Sequence, residues 1–398
     1  MNVRLPMLGL AAENRGQQDR DASKYTMPTV LRIRMRVAWI FAYSLVISAV
    51  AVGEGSYRIV GYVTDKAEIR RIDAAKVTTL IYAFAHVRSS GDVYFDDPKS
   101  AAYLERLQSL RSANTNLKLT ASVGGWGADH FSDAALTAAS RERFATSILE
   151  LVQKHGLDGF DIDWEYPGQP GAGCRFRPED RQNFTLLLQA VRLTFDRWSA
   201  KGNRRLMLTI ASASGEYFKH TDIPALQAKI DWFNVMTYDF YGSLSSITGH
   251  HTGLYRTSPS QAPSDFAAGV IGEYLAAGVP ASKLVLGCAF YGKSWTGVRA
   301  VNNGILQPYS HFGDWIDYDD IVTRWARRPG FQSGWDDSAK APYLWSPATG
   351  TFVSYENPES IAWKATYVKK MHLGGMMYWE QSEDPKGVLL DAISSGLR

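Results

Sequence analysis

Three acidic residues alternate with apolar ones in the segment DGFDIDWEYP, at Asp161, Asp163 and Glu165. Alternate residues of a β-strand point to the same face, so these carboxylates would lie along one face, about 7 Å apart in succession. Three carboxyl groups in a partly dry site cannot all be ionised cheaply, and at least one should hold a proton near neutral pH. A protonated carboxyl group is what general acid catalysis needs, and Glu165 stands at the carboxyl end of the predicted strand.

This row of carboxylates is compatible with more than one kind of site. Magnesium and calcium sites use several carboxylates, but usually on loops among other oxygen ligands, so we predict no metal here. Solvent-exposed acids are disfavoured because the residues between them, Phe160, Ile162 and Trp164, are typical of a core. A glycosidase with two catalytic carboxylates would use a pair from the row as acid and nucleophile, and the spacing alone leaves that alternative open.

Short apolar runs alternate with amphipathic stretches along the chain after Gly53. Eight runs predict strands, at Arg58–Val63, Thr78–Phe84, Leu117–Val123, Gly159–Asp163, Leu206–Ala211, Trp232–Thr237, Leu284–Phe290 and Gly375–Trp379. Helical patterns are predicted between them, at Ala101–Arg111, Arg141–His155, Pro178–Ser199, Asp265–Ala277 and Ser360–Met371. This alternation indicates a parallel sheet covered by helices, and eight repeats favour a closed eight-stranded (β/α)8 TIM barrel of the α/β class over an open sheet. Glu165 would then lie at the barrel end where active sites occur.

The interval 293–357 contains no clean strand–helix unit. It is rich in aromatic residues, namely Trp295, Tyr309, Trp315, Tyr318, Trp325, Trp335, Tyr343, Trp345 and Tyr355. We predict that it forms an inserted α+β subdomain between strands seven and eight. Its aromatic side chains are too many for so small a subdomain unless some face a substrate groove or pack against the barrel.

Composition and charge exclude several classes of protein. The 398 residues contain 43 Lys and Arg against 40 Asp and Glu. Residues 1–51 hold seven of the basic and three of the acidic residues, so the remainder carries 36 − 37 = −1 and offers no electrostatic surface for nucleic acid. No stable protein partner is implied either. The two cysteines, Cys174 and Cys288, exclude a disulfide scaffold, and we expect both to be free thiols.

The first 52 residues have the pattern of a leader. Residues 37–52 are uncharged and largely apolar, and Arg32, Arg34 and Arg36 precede them directly. This run is short for a membrane-spanning helix, which needs about 20 residues, and Ala49 and Ala51 near its end are the small residues that a signal peptidase would need. We therefore predict a signal peptide and a secreted protein, with an uncleaved anchor through 37–52 as the alternative. Residues 53–398 are predicted to be the catalytic barrel.

The acidic segment resembles the DxxDxDxE signature of the family-18 glycoside hydrolases, the chitinases. Four further segments resemble motifs of that family in the correct order: Ser122–Trp126 (SVGGW), Met236–Phe240 (MTYDF), Phe290–Gly292 (FYG) and Gly374–Glu380 (GGMMYWE). The resemblance covers residues 57–395 or so. It implies the (β/α)8 barrel and, in the larger subfamily, an α+β insertion at this position. It also implies chitin and chito-oligosaccharides as substrates, and no cofactor.

The resemblance further implies a retaining, substrate-assisted mechanism. Glu165 would protonate the glycosidic oxygen, and the carbonyl oxygen of the substrate's own 2-acetamido group would be the nucleophile, giving an oxazolinium ion. Asp163 would hydrogen-bond the acetamido N–H, and Asp161 would share a proton with Asp163, so that the two titrate as a unit. Tyr238 would hold the acetamido oxygen in line.

Seven further residues match substrate-contacting positions of the family. Trp379 would form the apolar floor under the distorted sugar, and the other six are Asp239, Met236, Tyr291, Trp126, Tyr62 and Phe84. For several of these positions core packing is the alternative. Two positions depart from the family pattern, because Lys293 stands where many relatives carry Arg and Leu244 where relatives often place Trp. Lysine lacks the planar fork of arginine, and leucine stacks poorly on a sugar.

Two other functions are compatible with this fold. A catalytically dead, chitin-binding lectin would typically lack the acid at position 165, which Glu165 provides here. An endoglycosidase would act on N-glycan cores or on sugars derived from peptidoglycan. Turnover of soluble chitin oligomers against glycoprotein separates these alternatives.

Overall fold

The computed structural model describes residues 57–95 and 98–398. The predicted leader, 1–52, lies outside these ranges, and its interpretation as a signal peptide or anchor stays a prediction. No helix within the described ranges is both long enough and apolar enough to cross a membrane.

Strands and helices alternate along most of the described chain. In chain order the strands are β1 (Arg58–Val63), β2 (Thr79–Val87), β3 (Val93–Tyr94), β4 (Lys118–Gly124), β5 (Gly159–Asp163), β6 (Met207–Ser212), β7 (Trp232–Val235), β8 (Leu284–Ala289), β9 (Tyr291–Thr296), β10 (His311–Asp317), β11 (Gln332–Asp336), β12 (Ala341–Ser346), β13 (Thr351–Ser354) and β14 (Gly375–Trp379). The α-helices are α1 (Pro98–Gln108), α2 (Phe131–Leu136), α3 (Ala138–His155), α4 (Asp180–Ser199), α5 (Glu216–His220), α6 (Ile223–Gln227), α7 (Ala267–Ala276), α8 (Tyr318–Thr323), α9 (Pro358–Lys370) and α10 (Val388–Leu397).

Eight parallel strands close into a barrel in the order β1-β2-β4-β5-β6-β7-β8-β14, and β14 pairs with β1 to complete the ring. Each lies within a few residues of a predicted strand, so the predicted TIM barrel is confirmed. The prediction missed β3, which forms a hairpin with the end of β2, and the helices α2, α5, α6 and α10. Three of these helices have only five or six residues, too few to show a helical period.

Capping residues determine where the long helices begin and end. Thr137 and Ser140 form a capping box at the start of α3, and Gly156, with a left-handed φ of 64°, caps its end. Asn357 caps the start of α9, with Pro358 in its first turn. The turn at Gly156 leads the chain directly into β5, the strand that carries the acidic row.

The side chains of β5 alternate as predicted. Phe160 and Ile162, together with Trp164 just after the strand, are buried in the large core between the barrel and its helices. Asp161 faces the barrel interior, where it contacts side chains from other strands, and Asp163 is buried as well. Packing of the apolar face therefore fixes the direction of the carboxylates.

The predicted α+β insertion forms a five-stranded antiparallel sheet, in the order β10-β9-β13-β12-β11, together with α8. It lies between the seventh and eighth barrel strands, β8 and β14, as predicted. The sheet begins at Tyr291 rather than at 293, because Tyr291 and Gly292 pair with Asp317 and Ile316 of β10. The motif FYG therefore joins the barrel to the insertion.

Both faces of the inserted sheet carry buried residues at its central strands. Leu344 and Val353 belong to the large core shared with the barrel helices. Trp295 and Phe352 belong to a separate aromatic cluster on the other face. Most of the insertion's aromatic residues are thus packing residues. Cys174 and Cys288 are both free, as expected.

Candidate active site

Asp161 lies fully buried inside the barrel, and four uncharged donors surround its carboxylate. Its Oδ2 accepts hydrogen bonds from the hydroxyls of Tyr62 (2.9 Å) and Ser122 (2.8 Å). Its Oδ1 accepts from Thr209 Oγ1 (2.5 Å) and Asn234 Nδ2 (3.2 Å). Burial raises the pKa of Asp161, and these four hydrogen bonds oppose but do not cancel that rise. Because the partners stand on β1, β4, β6 and β7, closure of the barrel assembles the network.

Asp163 is almost completely buried, and its Oδ1 has no hydrogen-bond partner among the described residues. Burial, the nearby carboxyl of Glu165 and that of Asp161 raise the pKa of Asp163 well above its usual range. The three carboxyl groups therefore interact, as the alternating pattern predicted. At neutral pH the group most favoured to hold a proton is Asp163.

Strand β4 approaches the backbone of Asp163 closely. A Cβ atom at Gly124 would lie 1.9 Å from the carbonyl oxygen of Asp163, and the φ of Gly124 is 126°. The amide of Gly125 donates to the same oxygen at 3.0 Å. A side chain at position 124 would displace the acidic segment, which explains the glycines of the SVGGW motif.

Glu165 lies just beyond β5, at the carboxyl end of the barrel strands. The pKa of Glu165 is raised to about 7. Burial is the main cause, the charge of Asp239 adds to the rise, and a hydrogen bond with Tyr166 opposes it. Near neutral pH this carboxyl group therefore exists in both forms. A group with such a pKa can donate a proton in one step and accept one in the next.

An aromatic floor covers the barrel interior beside these carboxyls. The Trp379 ring lies 5.6 Å from the Tyr62 ring and 5.5 Å from the Phe84 ring, which is nearly parallel to it at 20°. Met236 and Tyr238 pack against the same cluster. The structure thus brings together five of the residues that the sequence singled out as substrate contacts or catalytic groups.

Asp239 lies at the junction between the barrel and the insertion. Its backbone is in the left-handed region, with φ 63°, which aspartate adopts more readily than most residues. Its Oδ1 accepts a hydrogen bond from the Tyr291 hydroxyl at 2.6 Å and forms an ion pair with Lys293 Nζ at 2.6 Å. The Nδ1 atom of His251 lies 3.6 Å from the same oxygen.

The rim of the site carries exposed aromatic side chains. Trp126 is 63% exposed and its ring lies 6.2 Å from that of Tyr166. Trp315, on β10 of the insertion, is 51% exposed and stacks on Tyr291 at 4.5 Å with an interplanar angle of 11°. Leu244 is also exposed, on the loop after β7. The prediction that insertion aromatics reach the groove therefore has one concrete candidate, Trp315.

Sequence reasoning missed three of the four donors that surround Asp161, since only Tyr62 had been singled out, and for another role. Ser122 stood inside a motif noted for its glycines, whereas Thr209 and Asn234 are polar residues within the otherwise apolar strands β6 and β7. The signal that could have predicted these donors is the presence of polar residues at inward-facing positions of barrel strands. Trp315 was one of several aromatic residues of the insertion, and no sequence pattern distinguished it from the others.

Within the described ranges, no group of three or more His, Cys, Asp or Glu side chains is arranged to hold a metal ion.

A (β/α)8 barrel with a carboxyl group of raised pKa at its strand ends, neighbouring buried carboxyls and an aromatic floor is the architecture of a glycoside hydrolase. The profile of the family described as "Glycosyl hydrolases family 18" matches residues 58–384, and the chain belongs to this family. The family predicted from the five motifs is confirmed.

Named relatives and solved structures agree with this assignment. Chitinase A1 of Niallia circulans is 36% identical over 417 aligned residues, which cover 88% of this chain and 60% of that protein. Chitinase 1 of Aphanocladium album is 34% identical, over 79% of this chain and 78% of that protein. A family 18 N-acetylglucosaminidase from Paenibacillus barengoltzii has a TM-score of 0.80 and 37% identity, and covers 85% of this chain and 99% of its own. The chain thus spans about three-fifths of the length of Chitinase A1.

Proposed function

We propose that this protein hydrolyses β-1,4 linkages between N-acetylglucosamine units in chitin and chito-oligosaccharides. The single observation that carries the proposal is Glu165, a carboxyl group with a pKa of about 7 at the barrel mouth, next to the buried Asp163 and the aromatic floor. The relatives named chitinases supply the substrate class. A carboxyl group in a cleft whose pKa is shifted in this way is typical of a catalytic site, which favours an enzyme over a binding protein.

In the first chemical step Glu165 donates its proton to the glycosidic oxygen. The carbonyl oxygen of the 2-acetamido group forms a bond to C1 as the bond between C1 and the glycosidic oxygen breaks. The products are a free hydroxyl on the departing sugar and a positively charged oxazolinium ring, with Glu165 left as a carboxylate. In the second step this carboxylate takes a proton from water, whose oxygen attacks C1 and opens the ring, so the product keeps the β configuration.

Asp161 and Asp163 supply the negative charge that the oxazolinium needs. In the free site burial favours a proton on Asp163, while the four donors around Asp161 favour its charged form. As positive charge develops, the shared proton moves to Asp161, whose hydroxyl partners can rotate to accept it. Asp163 then carries the charge next to the acetamido N–H. Among the described residues the Tyr238 hydroxyl donates only to Met377 Sδ, at 4.0 Å, so it is available to the acetamido oxygen.

The test is product analysis on the N-acetylglucosamine hexamer, on its fully deacetylated counterpart and on a glycoprotein with N-glycans. We expect cleavage of the acetylated hexamer only. Equal rates on the deacetylated hexamer would contradict the acetamido nucleophile, and release of N-glycans alone would assign the protein to the endoglycosidases.

Release of single sugars is a second candidate activity, because one similar structure is that of an N-acetylglucosaminidase. The masses of the first products distinguish the two. Internal cleavage of the hexamer gives fragments of two to four sugars at early times, whereas removal of terminal units gives the monosaccharide and the pentamer.

We also propose that the protein is secreted, with residues 1–52 acting as the leader. The support is the sequence pattern alone: the basic residues before the apolar run 37–52 and the small residues at its end. Amino-terminal sequencing of protein recovered from the culture medium tests this. A mature chain that begins near residue 52 supports cleavage, and an intact leader in the membrane fraction supports the anchor.

A further inference from the structure

Lys293 is a buried cation at the edge of the active site that the proposed reaction does not use. It stands on β9 of the insertion, only 5% exposed, and its Nζ atom lies 2.6 Å from Oδ1 of Asp239. Among the described residues it is the only lysine or arginine that forms an ion pair with Asp239. The same Nζ lies 4.9 Å from the centre of the Trp315 ring, so the indole on β10 covers the pair.

All the fixed contacts of Asp239 are made on one side of its carboxylate. Tyr291, Lys293 and the imidazole of His251 converge on Oδ1. His251 is fully buried, and its Nδ1 atom, 3.6 Å from Oδ1, lies beyond ordinary hydrogen-bond distance, whereas Tyr291 and Lys293 both lie 2.6 Å from that oxygen. The side chain of Asp239 remains 35% exposed towards the groove. A buried lysine in such a place needs a partner, because an unpaired buried charge costs several kcal/mol.

We propose that the insertion takes part in catalysis electrostatically, with Lys293 as a positioning residue that binds Asp239 and balances its negative charge beside Glu165. This inference rests on the proposed function, in which Glu165 is the general acid. The insertion then does more than extend the groove, because its strand β9 supplies both the cation and the Tyr291 hydroxyl that hold Asp239.

The electrostatic consequence follows from the groups around Asp239. The titratable side chains that face it are Glu165 and Tyr166 after β5, Tyr238 and His251 on the segment after β7, and Tyr291 and Lys293 on β9. Burial raises the pKa of Asp239, but the nearby His251 imidazole and the Lys293 cation outweigh burial and lower it overall. Without the cation that pKa rises, so on acidification the charged form of Asp239 is lost at a higher pH.

The test compares pH profiles of kcat/KM on a soluble chito-oligosaccharide. Lys293→Gln keeps a hydrogen-bond donor for Asp239 but removes the charge, and we expect its acid limb to move up by about one pH unit. Lys293→Arg keeps the charge and should restore the wild-type limb. Lys340→Gln is the matched control, since Lys340 also pairs with an aspartate, Asp337 at 2.5 Å, and lies 4.4 Å from an indole, Trp363, but away from the site. Its profile should equal that of the wild type.

An unmoved acid limb in active Lys293→Gln protein would overturn the proposal. If that variant does not fold, the double variant Asp239→Asn/Lys293→Gln leaves no unpaired buried charge and is compared with Asp239→Asn alone. Because Lys293 acts through Asp239, both variants should lack the acid limb that titration of Asp239 sets, and an acid limb in the double variant that equals that of the wild type would overturn the proposal. A wild-type protein inactive on chito-oligosaccharides would instead refute the proposed function itself.

Discussion

Inside the barrel, Asp161 accepts hydrogen bonds only from uncharged groups, whereas at the insertion Asp239 is bound by the ammonium group of Lys293. The barrel carboxyls accordingly have raised pKa values, and that of Asp239 is lowered. The difference indicates that the barrel and the insertion have separate electrostatic roles. In the proposed reaction, the barrel holds the protons that move and the insertion holds a charge that stays in place. Changes on the barrel side should therefore affect every substrate, and changes on the insertion side should affect chain-length and pH dependence.

The largest effect is expected at the acid. Glu165→Gln cannot donate a comparable proton, so kcat should fall by about 10³-fold or more while the fold and oligosaccharide binding persist. The matched control is Glu216→Gln, because Glu216 lies exposed on α5 and pairs only with surface residues. Glu165→Gln activity within about tenfold of the wild type would contradict the assignment of Glu165 as the general acid.

On the insertion side, Trp315→Ala should weaken binding of long oligomers about tenfold, or about 1.4 kcal/mol, through loss of the exposed indole. Activity on the shortest cleavable substrate should fall less. Trp363→Ala serves as the control, since Trp363 is 40% exposed on α9, outside the site. The measurement is kcat/KM as a function of chain length, and an equal loss at every length would make Trp315 a packing residue only.

The raised pKa of Glu165 also predicts a smaller, pH-dependent effect on stability. Because the folded-state pKa of about 7 exceeds the ordinary value of 4.5, the contribution of Glu165 to the free energy of unfolding is fully present below pH 4.5 and is lost as the pH rises through 7. Glu165→Gln lacks this loss and should be more stable than the wild type at pH 8, by up to about 3 kcal/mol, but not at pH 4. Urea unfolding at the two pH values measures the free energy of unfolding of both proteins. If the variant and the wild type differ by the same amount at pH 4 and pH 8, burial does not raise the pKa of this carboxyl group.

Much of the fold could be predicted from sequence because the barrel strands are short apolar runs that repeat with helices between them. The acidic row was predictable for a local reason, since alternation along β5 fixes which side chains share a face. The insertion could be located, although its first residue, Tyr291, was assigned to the barrel motif.

The contacts that determine the charges of the site were harder to predict from the sequence. The partners of Asp161 come from four different strands, and only the closed barrel shows that Ser122, Thr209 and Asn234 meet at one carboxylate. Lys293 was noted only as a departure from an arginine. Its pairing with Asp239 depends on how the insertion joins the barrel, which no local pattern encodes.

The most direct test of the central claim, nucleophilic attack by the substrate's own acetamido group, is a series of aryl chito-oligosaccharides whose reacting acetamido group carries zero, one, two or three fluorine atoms. Fluorine withdraws electrons from the carbonyl oxygen and weakens it as a nucleophile. We predict that kcat/KM falls steeply with each added fluorine and that the first product is the β anomer. A rate that is independent of fluorination would contradict the account and would make a carboxylate such as Asp163 the nucleophile.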